Sequence, residues 1–157
     1  MKIQILALGK PHEPFIVQGI EHYRTRLAPY LSIEWKFLPD PRKGGNLTPE
    51  QHKQVESDIL LKHVAPQDTL LLLDENGRQL TSEGLEEQLY SLLVRAQKKI
   101  IFMVGGPYGA SDTLKGRADL MISLSKMTFT HEMALLLLSE QLYRAAMIHS
   151  GSKYHHR

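Results

Sequence analysis

Two loops and a tail carry the groups from which a site can be built. The first loop is Gly105-Gly106-Pro107-Tyr108-Gly109, directly after the apolar run Ile100-Ile101-Phe102-Met103-Val104. Three glycines and a proline in five positions allow a tight turn whose bare backbone N–H and C=O groups come close to a ligand. The second is the small, polar stretch Ser125-Lys126-Met127-Thr128, after the apolar run Leu120-Met121-Ile122-Ser123-Leu124. Both runs are too short for a packed helix and read as strands buried on both faces. Two parallel strands that each end in a backbone-rich loop outline a nucleotide-type crevice, and the reading is that this crevice holds a cofactor. A third strand end, Leu73-Asp74 before Glu75-Asn76-Gly77, is open to two equal readings. Asn-Gly favours a tight turn, whereas Leu73 and Asp74 at the carboxyl end of a central strand would line the same crevice as Gly106.

Other chemistries fit less well. The glycine loop lacks the Gly-Lys-Ser/Thr ending of a P-loop and the spacing of a dinucleotide fingerprint, so ATP and NAD are poorly supported. His131-Glu132 has no second histidine four residues on, which argues against a metal, and His131 can simply cap a helix. Ser111 and Ser125 lack a nucleophile elbow. Glu140 and Arg144 stand four residues apart on a helix, as an ion pair worth ~0.3–0.5 kcal/mol or with Arg144 turned to the crevice to meet a phosphate or carboxylate. The tail Lys153-Tyr154-His155-His156-Arg157 suits phosphate contacts and base stacking, or is an ordinary polar chain end.

The elements that must position these groups alternate strand and helix, which predicts an α/β domain with a mostly parallel sheet. A strand over residues 2–8 leads to a helix with Pro14 in its first turn and a stripe of Phe15, Ile16, Gly19, Ile20, Tyr23 and Leu27. Ile33, Trp35 and Phe37 alternate with charged residues as in a strand with one wet face. Residues 39–47, with Arg42 and Lys43, read as a surface loop, more a plain linker than an RNA contact. Thr48, Pro49 and Gln51 form a capping box for a helix that turns Val55, Ile59 and Leu60 inward. Thr81 or Ser82 caps a helix with Leu85, Leu89, Leu92, Leu93 and Ala96. The last helix, from about His131, is apolar on more than one face. A domain of this size offers core on one side of it, so a homodimer is expected to cover the other.

The chain has 157 residues, one domain's worth, with 42% hydrophobic and 23% charged residues, which excludes a disordered chain. A formal net charge of +2 confines any nucleic-acid surface to a local patch. The absence of cysteine removes disulfides, thiolate nucleophiles and thiolate metal sites. The start MKIQILALGK lacks a long apolar core and cleavage site, and the apolar run over 133–138 is far shorter than the ~20 residues of a membrane span. A soluble, cytoplasmic protein without a membrane segment is expected.

Taken together, these pieces resemble the RlmH family of ribosomal RNA methyltransferases, within the SPOUT superfamily. The likeness spans essentially the whole chain: MKIQILALGK, Tyr23-Arg24-Thr25-Arg26-Leu27, Val104-Gly105-Gly106-Pro107-Tyr108-Gly109, Leu124-Ser125-Lys126-Met127-Thr128-Phe129, Glu140-Gln141-Leu142-Tyr143-Arg144-Ala145 and Tyr154-His155. The resemblance implies one SPOUT methyltransferase domain over 1–157, a Rossmann-like sheet whose C-terminal part is tied in a deep trefoil knot, and a homodimer. It also implies methyl transfer from S-adenosylmethionine to N3 of a pseudouridine in the 23S RNA of the assembled ribosome, without a metal. Leu73, Gly105, Gly106 and Ser125, Lys126, Met127, Thr128, Phe129 and Thr130 match the cofactor-binding loops. Arg144, Tyr154 and His155 match positions of catalysis or RNA contact, with His155 as base or proton relay and Arg144 stabilising the imide anion. The family pattern has proline before the histidine and arginine four residues after it, where this chain has Thr130 and Leu135, and His156 is an addition. A tRNA methyltransferase and a non-catalytic ribosome-assembly factor are the competing expectations.

Overall fold

The computed structural model describes residues 3–41, 45–95 and 98–156. The expectations for Lys2, Arg42, Lys43, Ala96 and Arg157 lie outside the described residues. Five strands and five helices alternate: β1 (Ile3–Leu8), α1 (Pro14–Leu27), β2 (Ile33–Leu38), α2 (Pro49–Leu61), β3 (Thr69–Gln79), α3 (Ser82–Arg95), β4 (Ile100–Val104), α4 (Asp112–Arg117), β5 (Leu120–Ser123) and α5 (His131–His149). Among the described residues they form one sheet in the order β2-β1-β4-β3-β5, with every pairing parallel. Parallel strands need crossovers that bury both sheet faces, and the sequence obliges. All residues of β1 and β4 are buried.

The two faces carry separate apolar layers. Ile3, Ile5, Ala7, Ile100 and Phe102 face α1, α3 and α5, packing against Ile16, Ile20, Leu85, Leu89, Leu138 and Leu142. Leu6, Leu8, Leu70, Leu72, Ile101 and Met103 face α2 and α4, against Leu60 and Leu114. The chain moves from β3 to β4 in one direction and crosses back over β3 to reach β5. Such a reversal leaves a crevice outside the carboxyl ends of the strands.

Helix starts follow the sequence closely. The Thr48 capping box is complete, Thr81 accepts the Gly84 N–H at 2.9 Å, and Ser111 and Thr130 cap α4 and α5. Four expectations differ. Phe15 is exposed, because Ile16, Ile20 and Leu27, with Tyr23 partly buried beside them, fill the inward stripe of α1. Val55 is exposed too, while Glu56, Ser57 and Leu60 of α2 face inward. The turn at Glu75-Asn76-Gly77 does not end β3. Leu73 and Arg78 both register with Ile122, so residues 74–77 bulge out and the strand resumes to Gln79. Asp74 stabilises the bulge by accepting the Asn76 N–H at 2.9 Å, and Gly77 is needed because a Cβ there would lie 2.7 Å from the Met121 backbone.

The fourth concerns α5. No residue from His131 to Ile148 is exposed, because α1 and α3 of the same chain flank the helix while Leu135, Leu138 and Leu142 meet the sheet layer. Two flanking helices thus supply part of the cover that composition assigned to a second subunit, leaving residues such as Met133, Leu136 and Leu137 half-buried. A Cβ at Gly19 would meet the Leu136 side chain at 2.6 Å, so glycine lets α1 and α5 approach closely. No helix of the described residues is long and apolar enough to cross a membrane.

Candidate active site

The carboxyl ends of β3, β4 and β5 surround one cavity of about 300 Å³, at the lower end of the range for small-molecule sites. Its floor and walls are Leu73, Val104, Leu124, Phe129 and Ala134, with the glycine loop 105–110 on one side and Ser125, Met127 and Thr128 on the other. Of the nine residues matched to cofactor loops, Leu73, Gly105, Gly106, Ser125, Met127, Thr128 and Phe129 line it. Lys126 is exposed and outside the lining, and Thr130 is occupied as N-cap of α5 through the Met133 N–H at 3.2 Å. Four titratable residues of the lining, Asp74, Glu75, Tyr108 and His131, come with it. Asp74 was legible at a strand end. His131, in the first position of α5, lines the cavity while Thr130 performs the capping.

Buried polar groups brace the glycine loop from α2. Ser57 accepts the Ser111 N–H at 2.9 Å, and Ser111 in turn caps α4 through the Leu114 N–H at 3.1 Å. A Cβ at Gly106 would collide with the Glu56 carboxylate, so glycine lets the loop and the end of that side chain pack together. Ser125 folds the opposite loop, accepting the Met127 N–H at 3.0 Å while its carbonyl accepts the Ser123 hydroxyl at 2.8 Å. Both walls are therefore backbone held in place by hydrogen bonds, one wall braced from α2 and the other folded by bonds within its own loop, a form suited to a planar heterocycle.

Arg144, Tyr154 and His155 come together elsewhere. Arg144 sits ten residues beyond Ala134 on α5, about 15 Å along the helix axis from the cavity of its own chain. Its guanidinium donates to Glu140 through Nε at 3.1 Å and Nη2 at 2.5 Å, and lies 5.0 Å from the Tyr154 ring centroid. The Tyr154 hydroxyl donates to the same Glu140 carboxylate at 3.2 Å. His155 spans Arg144 Nη1 at 3.2 Å and Glu83 Oε1 at 3.1 Å. A guanidinium only donates, so the facing Nδ1 of His155 accepts and Nε2 carries the proton toward Glu83. Glu140 raises the pKa of Arg144, through its hydrogen bond first, against desolvation. Burial, then the Glu140 charge, pushes Tyr154 up to about 12, which keeps its hydroxyl a donor at any physiological pH.

A second cavity of about 310 Å³ adjoins the first, sharing Leu124 and Phe129, and runs to Gln141. There the Ser82 hydroxyl donates to Gln141 at 2.8 Å, beside Glu83 and Glu140. At the far end of α5, Glu132 accepts the backbone N–H groups of His12 and Glu13, the latter at 3.1 Å, tying the β1–α1 loop to the start of α5. Ligand atoms of His12, Glu13 and Glu132 lie within 4.8 Å of one another, in an open position away from the cavity lining. Leu135 is wholly buried in the core.

The family described as predicted SPOUT methyltransferase matches residues 1–155. Curated relatives named ribosomal RNA large subunit methyltransferase H are similar over the full length of both chains. That of Desulfotalea psychrophila is 44% identical over 156 residues, covering 99% of each chain. Those of Christiangramia forsetii and Parabacteroides distasonis are 41% and 40% identical, covering 100% and 99% of each chain.

Proposed function

The chain belongs to the SPOUT methyltransferase family, and from that premise we propose that it transfers the methyl group of S-adenosylmethionine to N3 of a pseudouridine in 23S RNA of the assembled ribosome. The observation that carries this reading is the single cavity where Leu73, Gly106 and Ser125 converge from three strand ends. Backbone groups of 105–110 and 125–129 suit the adenine edge, Leu73 and Phe129 its faces, and the carboxylates of Asp74 and Glu75 a cationic ligand. In this reading Leu73, Gly105, Gly106, Ser125, Met127, Thr128 and Phe129 form the cofactor-binding set, while Lys126 and Thr130, matched to the same loop, stand outside the lining. The cofactor supplies an electrophilic methyl on a sulfonium centre.

The chain's own task is to take the N3 proton and hold the resulting anion. His155 Nδ1 takes that proton once Arg144 turns from it to an imide oxygen, and the Nε2–H bond to Glu83 steadies the imidazolium that forms. Tyr154 holds Glu140, which keeps Arg144 aimed. Charge is neutralised in the transition state, which a water-poor, positioned pocket favours.

The reading treats residues 1–157 as one domain carrying the family's trefoil knot, working as a homodimer in the cytoplasm, where ribosomes are. Its dimer rests on distance: a tail ~15 Å from its own cavity suits delivery to the cavity of a second copy. Exposed Phe15, Val17, Met127 and Phe129 supply apolar surface for that pairing, with α1 and α5 tied together by Glu132.

The test is labelled methyl transfer to ribosomes lacking the modification and to free tRNA, with calorimetry against S-adenosylmethionine. Binding with transfer to ribosomes is expected. Transfer to tRNA alone turns the reading to a tRNA enzyme, binding without transfer to an assembly factor, and absence of binding overturns it.

A further inference from the structure

The segment Tyr23-Arg24-Thr25-Arg26-Leu27 closes α1 and touches the tail cluster through Tyr23, which, after burial and Glu140, helps raise the pKa of Tyr154, whereas Arg26 adjoins the cluster without a role in it so far. The Arg26 guanidinium lies 6.0 Å from the ring centroid of Tyr143, a nearly buried residue of α5. Tyr143 meets Tyr154 edge-on at 4.9 Å and Tyr23 at 6.0 Å. An aromatic bed thus runs from Arg26 to the ring under Arg144. The two cations differ in charge balance. Arg144 is matched by Glu140, whereas Arg26 forms no salt bridge with a carboxylate among the described residues and is exposed.

The plain account of a basic residue in a last helical turn is the helix dipole, worth ~0.3–1 kcal/mol. Arg24 shares that account but points elsewhere. Two residues back is ~200° around the helix, and Arg24 lies over Trp35 of β2 at 5.9 Å. The dipole explains both arginines and does not explain why one is held against the tail cluster.

We propose that Arg26 binds a backbone phosphate of the RNA strand beside the target nucleotide, seating that nucleotide against Tyr154 and His155. This deepens the ribosomal RNA reading and rests on it. Methylation at N3 acts on the Watson–Crick edge, so the target must be unpaired or extruded, and its flanking phosphates then face the enzyme. A planar, permanently charged fork next to tyrosine faces is the combination single-stranded RNA recognition uses. An acidic peptide would take the cation but leave the aromatic bed unused.

The experiment measures binding and methylation of ribosomes lacking the modification by wild type, Arg26→Ala, Arg26→Lys and Arg24→Ala over a potassium chloride series at fixed magnesium. Arg26→Ala is expected to weaken ribosome binding about tenfold and to reduce the slope of log K against log salt by ~0.7–1. The loss falls on KM for ribosomes rather than on kcat, with S-adenosylmethionine affinity unchanged and the thermal midpoint lowered no more than by Arg24→Ala, since both lose the same dipole interaction. Arg26→Lys keeps the slope and recovers part of the affinity, and Arg24→Ala weakens binding less than threefold, an order-of-magnitude bound for a surface charge away from the strand. Equal losses of ribosome binding at Arg24 and Arg26, or an Arg26→Ala salt slope equal to wild type, overturn the proposal and leave the methyltransferase reading standing. Wild-type enzyme that neither binds nor methylates ribosomes overturns that reading itself.

Discussion

The strand-end cavity and the α5 tail cluster solve opposite problems with opposite materials. The cavity is made of backbone and apolar side chains, fixed by glycine, serine turns and the braces from α2. The cluster is made of long charged side chains, fixed by each other: Glu140 with Arg144 and Tyr154, Glu83 with His155. Shape is what a cavity of that first kind recognises, and its specificity is lost when volume is added. A proton route is what the second kind provides, and it is lost when a single group is removed.

The largest effect expected from this contrast is at His155. His155→Ala removes the proposed proton acceptor without touching the cavity, so methyl transfer should fall ~10²–10⁴-fold while calorimetric affinity for S-adenosylmethionine stays at the wild-type value. Turnover equal to wild type would move the base elsewhere in the cluster. Gly106→Ala should do the reverse. The new Cβ collides with the carboxylate of buried Glu56, so the loop or that side chain must shift. Displacement of the loop lowers cofactor affinity at least about tenfold before any effect on a prebound reaction is seen, and a wild-type affinity would show that Glu56 alone gives way.

These two variants together decide whether cavity and cluster cooperate within one chain or between two. Mixed and reannealed, His155→Ala and Gly106→Ala subunits give heterodimers with one cavity and one tail intact on different chains. If each cavity takes its tail from the other subunit, the mixture should regain about one quarter of wild-type activity, because half the dimers are mixed and each holds one whole site. No regain would assign both parts to one chain, with the second cavity from Leu124 to Gln141 as the connection.

The same contrast explains what could be read from the sequence. Cavity parts announce themselves locally: an apolar pentamer followed by glycines, and a polar small-residue loop after the next apolar run, need only neighbours in the chain to be recognised. The Thr48 and Thr81 caps are legible for the same reason, since each bonds within three residues. The cluster depends on Glu83, 72 residues from His155, and no local pattern marks it. Glu56 and Ser57 were hidden behind the expectation that Val55 faces inward, because buried polar residues break helical periodicity where they brace a loop. The Asn76-Gly77 pair signals a turn in isolation, whereas the partner strand β5 resumes its register after it. Cover of α5 by α1 and α3 likewise depends on tertiary placement that composition does not encode.

The smallest expected effect lies where the two ends of α5 diverge in their response to pH. Desolvation works against ionised Glu132, but the backbone N–H groups of Glu13 and His12, with the charges of His12 and His131, outweigh it and lower its pKa from 4.5. A carboxylate with a depressed folded-state pKa adds stability above its unfolded pKa and loses it as pH falls through the folded value. Tyr154 has the opposite sign: raised to about 12, it adds stability below pH 10 that is lost as pH climbs toward 12. Glu132→Gln should therefore cost about 1 kcal/mol near neutrality and flatten the acid limb of the unfolding curve below pH 4.5, leaving the alkaline limb unchanged. Tyr154→Phe should flatten only the alkaline limb. Chemical denaturation from pH 3 to 11 reads both, and an acid limb that persists in Glu132→Gln would show that the clamp between the β1–α1 loop and α5 does not depend on this charge.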